Sequence, residues 1–175
     1  MFKQEGAIGI LEYITIPQGI KVLNDIIKHV NLSHVQAKIF PGSKYMIIMQ
    51  GEHGSIEYAM EIGMEQEGLV DIGWLGKIHD QLVPVFNEEQ SPKHVAENVL
   101  VFQQLSHAKA YEECNMLLHG FDLSVVKFKH NEALEGSSIV ILSGSVAATR
   151  AAKERIKSAE IITNIEPWIL EEIAR

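Results

Sequence analysis

A single cysteine, Cys114, is present in 175 residues. It excludes an intramolecular disulfide framework and fits a reducing compartment. No apolar run approaches the ~20 residues that a bilayer-spanning helix needs. The opening MFKQEGAIGILEY reaches Glu12 too soon for the apolar segment of a secretory signal, so a cytoplasmic chain is expected. Basic residues are few: 15 Lys and Arg stand against 23 Asp and Glu, a net charge of −8. Without a Lys/Arg cluster, that balance argues against nucleic acid or an anionic membrane as partner. Phosphate-cradling motifs are missing too, since neither GxGxxG nor GxxxxGK[ST] occurs. No Ser-His-Asp or Cys-His pattern stands out, which predicts a protein that is not an enzyme.

The remaining reactive side chains have plain readings. Cys114 falls between Tyr111 and Leu118 on an apolar helical face, where cysteine acts as a small hydrophobe. Eight histidines are scattered without HxxxH or HxH spacing beside a carboxylate, so they read as solvated and no metal or cofactor is expected. Gly51-Glu52-His53-Gly54 opens a helix, but Glu52 would repel phosphate, and helix capping accounts for it better. In the second half Ser145 suits an N-cap.

What the chain does contain is a unit written twice. Val35–Phe40 and Tyr45–Met49 are apolar runs flanking Pro41-Gly42-Ser43, residues that suit a tight turn. Downstream, Val126–Phe128 and Ile139–Leu142 flank Asn131–Ser138. Before the first hairpin come a strand, Ala7–Ile16, and a helix from about Pro17 to Asn31 whose Ile20, Leu23, Ile27 and Val30 recur at helical spacing. After it come a helix marked by Ile56, Ala59, Met60 and Met64, a strand Leu69–Leu75, and a short helix or turn over His79–Phe86. Tyr111, Cys114, Leu118 and Phe121 repeat the first helix at a constant offset of 91, where Asn24/Asn115, Leu32/Leu123, Ser33/Ser124 and Val35/Val126 are identical. Beyond the hairpin the offset is 93, with Ile48/Ile141, Gly51/Gly144, Ala59/Ala152 and Glu61/Glu154 identical. The expected organisation is α+β: two tandem ferredoxin-like β-α-β-β-α-β domains, each an antiparallel sheet with helices on one face. Their predicted extents are 1–86 and 97–175, joined by a polar linker at 87–96 that carries Pro92.

Read in order, AIGILE (Ala7–Glu12), NDIIKHVN (Asn24–Asn31), KIFPG (Lys38–Gly42), QGEHGSI (Gln50–Ile56) and LGKIH (Leu75–His79) resemble a bacterial microcompartment shell domain, the BMC domain. The second half resembles a diverged second copy. The likeness spans roughly residues 6–86 and 97–174 and is nearest to tandem-domain shell proteins of the propanediol-utilisation T type. Because AIGILE comes first, the element order looks unpermuted.

The resemblance implies a structural shell protein whose homotrimers form pseudo-hexagonal tiles among other microcompartment shell proteins. It places the first hairpin turn at a central pore, so Phe40, Pro41, Gly42 and Ser43, with Glu132, Glu135 and Gly136 of the second turn, are the expected pore lining. Lys28 matches the family's tile-edge lysine, and Lys77 and His79 occupy its edge-facing segment. The second copy departs here, with His119 in place of the lysine and Pro167-Trp168 in the other motif. In the T type the residue before Pro-Gly is a cysteine, and three copies hold an iron–sulfur cluster on the axis. Phe40 stands there in this chain, and a phenyl ring supplies no thiolate. Two placements of that ring are open: narrowing the pore, or folded back onto its neighbours with backbone alone at the axis. The alternative function is a ferredoxin-like regulatory oligomer that binds a small ligand; an enzyme has least support.

Overall fold

The computed structural model describes residues 1–89, 95, 98–131 and 137–174. Strand β1 (Ala7–Tyr13) is buried at every position. It lies between β3 (Lys44–Gly51) and β4 (Leu69–Leu75), antiparallel to both. A strand covered on both faces needs apolar residues throughout, which accounts for AIGIL running without alternation. With β2 (His34–Phe40) on β3, the sheet order is β2-β3-β1-β4. Strands β5 (Asn98–Gln104), β6 (Leu123–Asn131), β7 (Ser137–Gly144) and β8 (Glu160–Thr163) make a second antiparallel sheet, β6-β7-β5-β8, in the same topology.

The helices repeat as well. In the first unit these are α1 (Ile16–His29) and α2 (His53–Met64); a 3-10 turn at Asp80–Leu82 then leads into α3 (Val83–Phe86). In the second they are α4 (His107–Gly120), α5 (Val146–Lys153) and α6 (Pro167–Ala174). Pro17 stands in the first turn of α1, where its missing N–H costs nothing. Lys28 and His29 sit in the last turn, where positive charge suits the helix dipole. Ser145 caps α5 by accepting the Ala148 N–H at 3.2 Å, as expected, whereas Glu52 precedes α2 without a side-chain cap.

Three expectations need correcting. The first strand stops at Tyr13 rather than Ile16. The residues of α1 buried against its own sheet are Gly19, Val22 and Ile26, with Leu23 partly buried against the same core; Ile20 and Ile27 do not face it. Ile20 and Ile27 are 52% and 54% exposed. The helix carries two adjacent apolar stripes at the same spacing, and periodicity alone does not say which one meets the sheet. The third concerns the repeat itself. A bulge in β6 shifts register between Val125 and Lys127, so Val125 opposes Leu142 as Val35 opposes Met49. The identities Leu32/Leu123, Ser33/Ser124 and Val35/Val126 are therefore one residue out of structural step. The helix offset of 91 survives, since α1 and α4 begin at Ile16 and His107.

One apolar core runs across both units. It joins Ile10, Met46 and Ile48 of the first sheet, through Leu82, Val85 and Phe86, to Tyr111, Leu118 and Phe128. Phe86 stacks on Tyr111 at 4.4 Å and Tyr111 on Phe128 at 4.5 Å, the offset-stacking range favoured by aromatic quadrupoles. The tail of the first unit thus forms part of the second unit's core.

Candidate pore turn and the seam between the repeats

The hairpin turn Pro41–Ser43 is exposed at all its positions. Gly42 holds φ 81°, a left-handed conformation that glycine adopts without Cβ strain, and Ser43 follows at φ 66°. Such a turn presents backbone, not bulk. Phe40 at its base is 7% exposed and does not point outward with it. Its ring lies on the imidazole of His107, centroids 3.9 Å apart, with His130 at 5.1 Å. Within the chain the ring is thus folded back onto its neighbours. Glu132, Glu135 and Gly136 lie outside the described residues.

Around Phe40 is a polar cluster that the sequence reading missed. His107, expected to be solvated, is fully buried because α4 begins beneath the first unit. Its Nδ1 lies 2.6 Å from Ser138 Oγ and 3.0 Å from His130 Nδ1, and His130 Nε2 is 3.0 Å from the Tyr111 hydroxyl. Burial depresses both imidazoles, His107 further because His130 and then Lys44 and Lys38 lie close, to about 3; His130 falls to about 4, with Lys38 adding to burial. Both are therefore neutral near pH 7, and the facing Nδ1 atoms take opposite roles, one donating and one accepting. His107 Nε2 has no hydrogen-bond partner among the described residues. Two lysines fasten the hairpin from outside: Lys44 Nζ donates to the Leu105 carbonyl at 3.0 Å, and Lys38 Nζ pairs with Glu88 at 2.7 Å.

The seam runs from this cluster along β4 and α4 to the far end of the helix. Gly73 meets it edge-on; a Cβ there would stand 2.8 Å from the Ala108 carbonyl oxygen, so only glycine permits the approach. Glu12, fully buried in β1, accepts the Ala108 N–H and, at 3.3 Å, the Ser106 hydroxyl. Desolvation raises its carboxyl above the ordinary range despite those bonds and the nearby Lys44. Further along, Asn115 is a clamp: its Oδ1 accepts the His79 N–H and its Nδ2 donates to the Lys77 carbonyl, both at 2.9 Å. His119 Nε2 donates to the same Lys77 oxygen at 3.1 Å, and its ring meets that of His79 edge-on at 5.1 Å. Gln81 then closes the edge of β6, donating to the Leu123 carbonyl at 3.0 Å and accepting the Val125 N–H at 2.8 Å.

Of the residues expected at a tile edge, Lys77 and His79 are brought together at the outer end of this seam, with His119. Lys28 is exposed on the last turn of α1, away from them in the repeat. Cys114 is buried as expected and its thiol is pushed up by burial. Among the described residues no group of His, Cys, Asp and Glu has the arrangement of a metal centre. No helix is long and apolar enough to cross a membrane.

Residues 7–73 match the family described as the BMC domain. No curated protein sequence matches the chain. Among solved structures, a microcompartment protein from Desulfitobacterium hafniense aligns over 95% of this chain and 98% of its own, with a TM-score of 0.75 at 16% identity. A double-ringed trimeric shell protein of the RMM microcompartment aligns over 87% and 81%, with a TM-score of 0.59 at 16% identity. A fused permuted hexameric shell protein of the same microcompartment aligns over 84% and 77%, with a TM-score of 0.58 at 20% identity. The first unit is thus similar to the BMC domain, and the chain as a whole has the fold of microcompartment shell structures.

Proposed function

We propose that this chain is a structural, non-enzymatic component of a bacterial microcompartment shell, acting as a homotrimer of pseudo-hexagonal outline that packs beside other shell proteins in the cytoplasm. The observation that carries this reading is the unequal treatment of two equivalent helices. In α4 the stripe Tyr111, Cys114, Leu118 is buried under the tail of the first unit. In α1 the matching Ile20 and Ile27 are bare. A unit that buries this face in one copy and leaves it open in the other calls for a neighbour, and head-to-tail addition that closes makes a ring. The BMC match to residues 7–73 supports the shell role.

In this reading the domains divide near residues 86 and 97, and the pore rim is built from Pro41, Gly42 and Ser43 with Glu132, Glu135 and Gly136, Phe40 bracing it from behind. Lys28, Lys77 and His79 lie towards the tile perimeter. The kinship is with the propanediol-utilisation T type, but without the cluster that type carries. Light scattering of the purified protein should give a trimer, and electron microscopy at high concentration should show flat layers or rounded bodies. A stable monomer that forms neither would sink the proposal.

A further inference from the structure

The second helix of each unit presents charge of opposite sign. Helices α2 and α5 begin at His53 and Val146, so an offset of 93 relates them. Their inner faces are alike: Ile56, Ala59 and Met60 are buried on one, Thr149 and Ala152 on the other. Their outer faces have diverged. On α2 and the turn after it Glu52, Glu57, Glu61, Glu65 and Glu67 are all exposed, and no Lys or Arg occurs between Lys44 and Lys77. On α5 and the turn after it Arg150, Arg155 and Lys157 are exposed, and Glu154 is the only acid from Ser145 to Ala159. The chain has three arginines, and two of them stand here. Arg150 occupies the helical position of Glu57. Among the described residues Glu57, Glu61, Arg150 and Arg155 form no ion pair.

The relief of the two faces is complementary as well. Tyr58 is 49% exposed on the acidic helix. At its position in the second unit is Ala151, one turn from Ala147, and both alanines are exposed. One helix thus bears an aromatic knob among carboxylates, and the other a low surface of small residues among guanidinium groups. Guanidinium pairs with carboxylate in a planar fork and stacks on aromatic faces, so each surface suits the other. Within the chain they are held apart: α2 packs on α1, β1 and β3, and α5 on β5, β7 and β8. A second copy turned through a two-fold axis sets α2 of each copy on α5 of the other, and a contact satisfied in both directions closes on itself.

From this we infer that two trimers stack face to face, with Glu57, Tyr58 and Glu61 of each copy against Arg150, Ala151 and Arg155 of a copy in the other ring. The inference rests on the trimer reading above, which brings the equivalent helices to one side of the ring, and it concerns a surface separate from the one that closes the ring. A single exposed ion pair contributes little, but this contact recurs around the ring and adds up. Salt should weaken it, because the charges lie at the surface.

The test is sedimentation of the full chain at low micromolar concentration in about 50 mM and about 500 mM salt. Twice the trimer mass is expected at low salt and the trimer mass at high salt. The double variants Glu57→Arg with Glu61→Arg, and Arg150→Glu with Arg155→Glu, should each stay at the trimer mass at low salt and melt close to wild type, since exposed charges contribute little to folding. Mixed in equal amounts, the two variants are complementary and should return to twice the trimer mass. Tyr58→Ser should raise the concentration at which the stacked form half-dissociates about tenfold. Wild-type protein at the trimer mass in both salts overturns the stacking and leaves the trimer reading intact; a monomer in both overturns the two together. A doubled mass that survives either reversal, or that fails to return on mixing, overturns this pairing of helices. Particles that keep growing with concentration would mean that the contact does not close, which overturns it too.

Discussion

The carboxylate of Glu12 and the backbone N–H of Ala108 belong to different halves of the chain, yet the first accepts a hydrogen bond from the second and caps the opening turn of α4. The repeat shows why this happens at one seam only. Ala108 corresponds to Pro17, which has no N–H, and Glu12 corresponds to Gln103, whose Nε2 turns instead to Ser137 at 2.9 Å. In the other copy the donor is absent and the side chain in the place of Glu12 is turned elsewhere. A buried acid thus stands where a helix start offers it an N–H.

This gives a prediction with a sign. The carboxyl of Glu12 is raised by burial, so the folded state holds its proton more tightly than the unfolded chain. Its contribution to stability therefore falls as pH rises from the ordinary carboxylate range through the raised value. Glu12→Gln keeps an acceptor for Ala108 and should be at least as stable at pH 8, with less gain on acidification. Glu12→Ala strands the Ala108 N–H and should cost about 1–3 kcal/mol. Urea melts at pH 5.5 and 8 decide it; equal losses in both variants would mean that the charge, not the acceptor, matters.

The paired imidazoles act in the opposite direction. With folded values near 3 and 4, His107 and His130 stay neutral where their unfolded counterparts, near 6.5, are already charging. The unfolded chain then binds more protons, so their contribution is intact above pH 6.5 and is lost as pH falls below it. Lys38 and Lys44, which face the pair, add to the cost of charging it. His107→Gln should flatten the decline of melting temperature between pH 6.5 and 4, whatever it costs at pH 7. A decline as steep as wild type would place the acid sensitivity elsewhere.

Asn24 and Asn115 show how much was legible in the sequence. Their identity at an offset of 91 is plain, and so are the tandem organisation, the strand order and the turn at Pro41. What one line of sequence does not give is which repeat is covered. Asn115 is buried against Lys77 and His79 while Asn24 is open, because only the first unit's tail lies within reach in one chain. The choice between the two stripes of α1 was hidden for the same reason. His107 went unread because its burial comes from another unit. Glu12 did leave a signal, a carboxylate inside a strand otherwise without charged residues.

The two asparagines should therefore respond differently. Asn115→Ala removes the partners of the His79 N–H and the Lys77 carbonyl within the seam and should lower folding stability by about 1–3 kcal/mol. Asn24→Ala should leave the dilute, dissociated chain unchanged and weaken association only. Denaturation below and above the dissociation concentration separates them. A loss of equal size for Asn24→Ala in the dissociated chain would show that it has an in-chain role.

Phe40 carries the last prediction. Its ring is wedged against His107 and His130, so a shorter side chain there leaves a cavity; Phe40→Ala should cost about 3–5 kcal/mol. The direction of that side chain matters more than its size. It leaves the hairpin towards the second unit, while the exposed turn ahead of it offers the backbone of Gly42 and Ser43. Replacing the ring by a thiol should therefore not make a site for an iron–sulfur cluster. A cluster needs thiolates that converge, and a thiol introduced at position 40 would be held among two neutral imidazoles and the Ser138 hydroxyl, buried and slow to ionise. Phe40→Cys purified without oxygen and supplied with iron and sulfide should remain colourless and melt below wild type. A brown protein with stoichiometric iron would mean that position 40 swings out of its packing once the ring is gone, and that contact with His107, rather than the course of the hairpin, holds Phe40 in place.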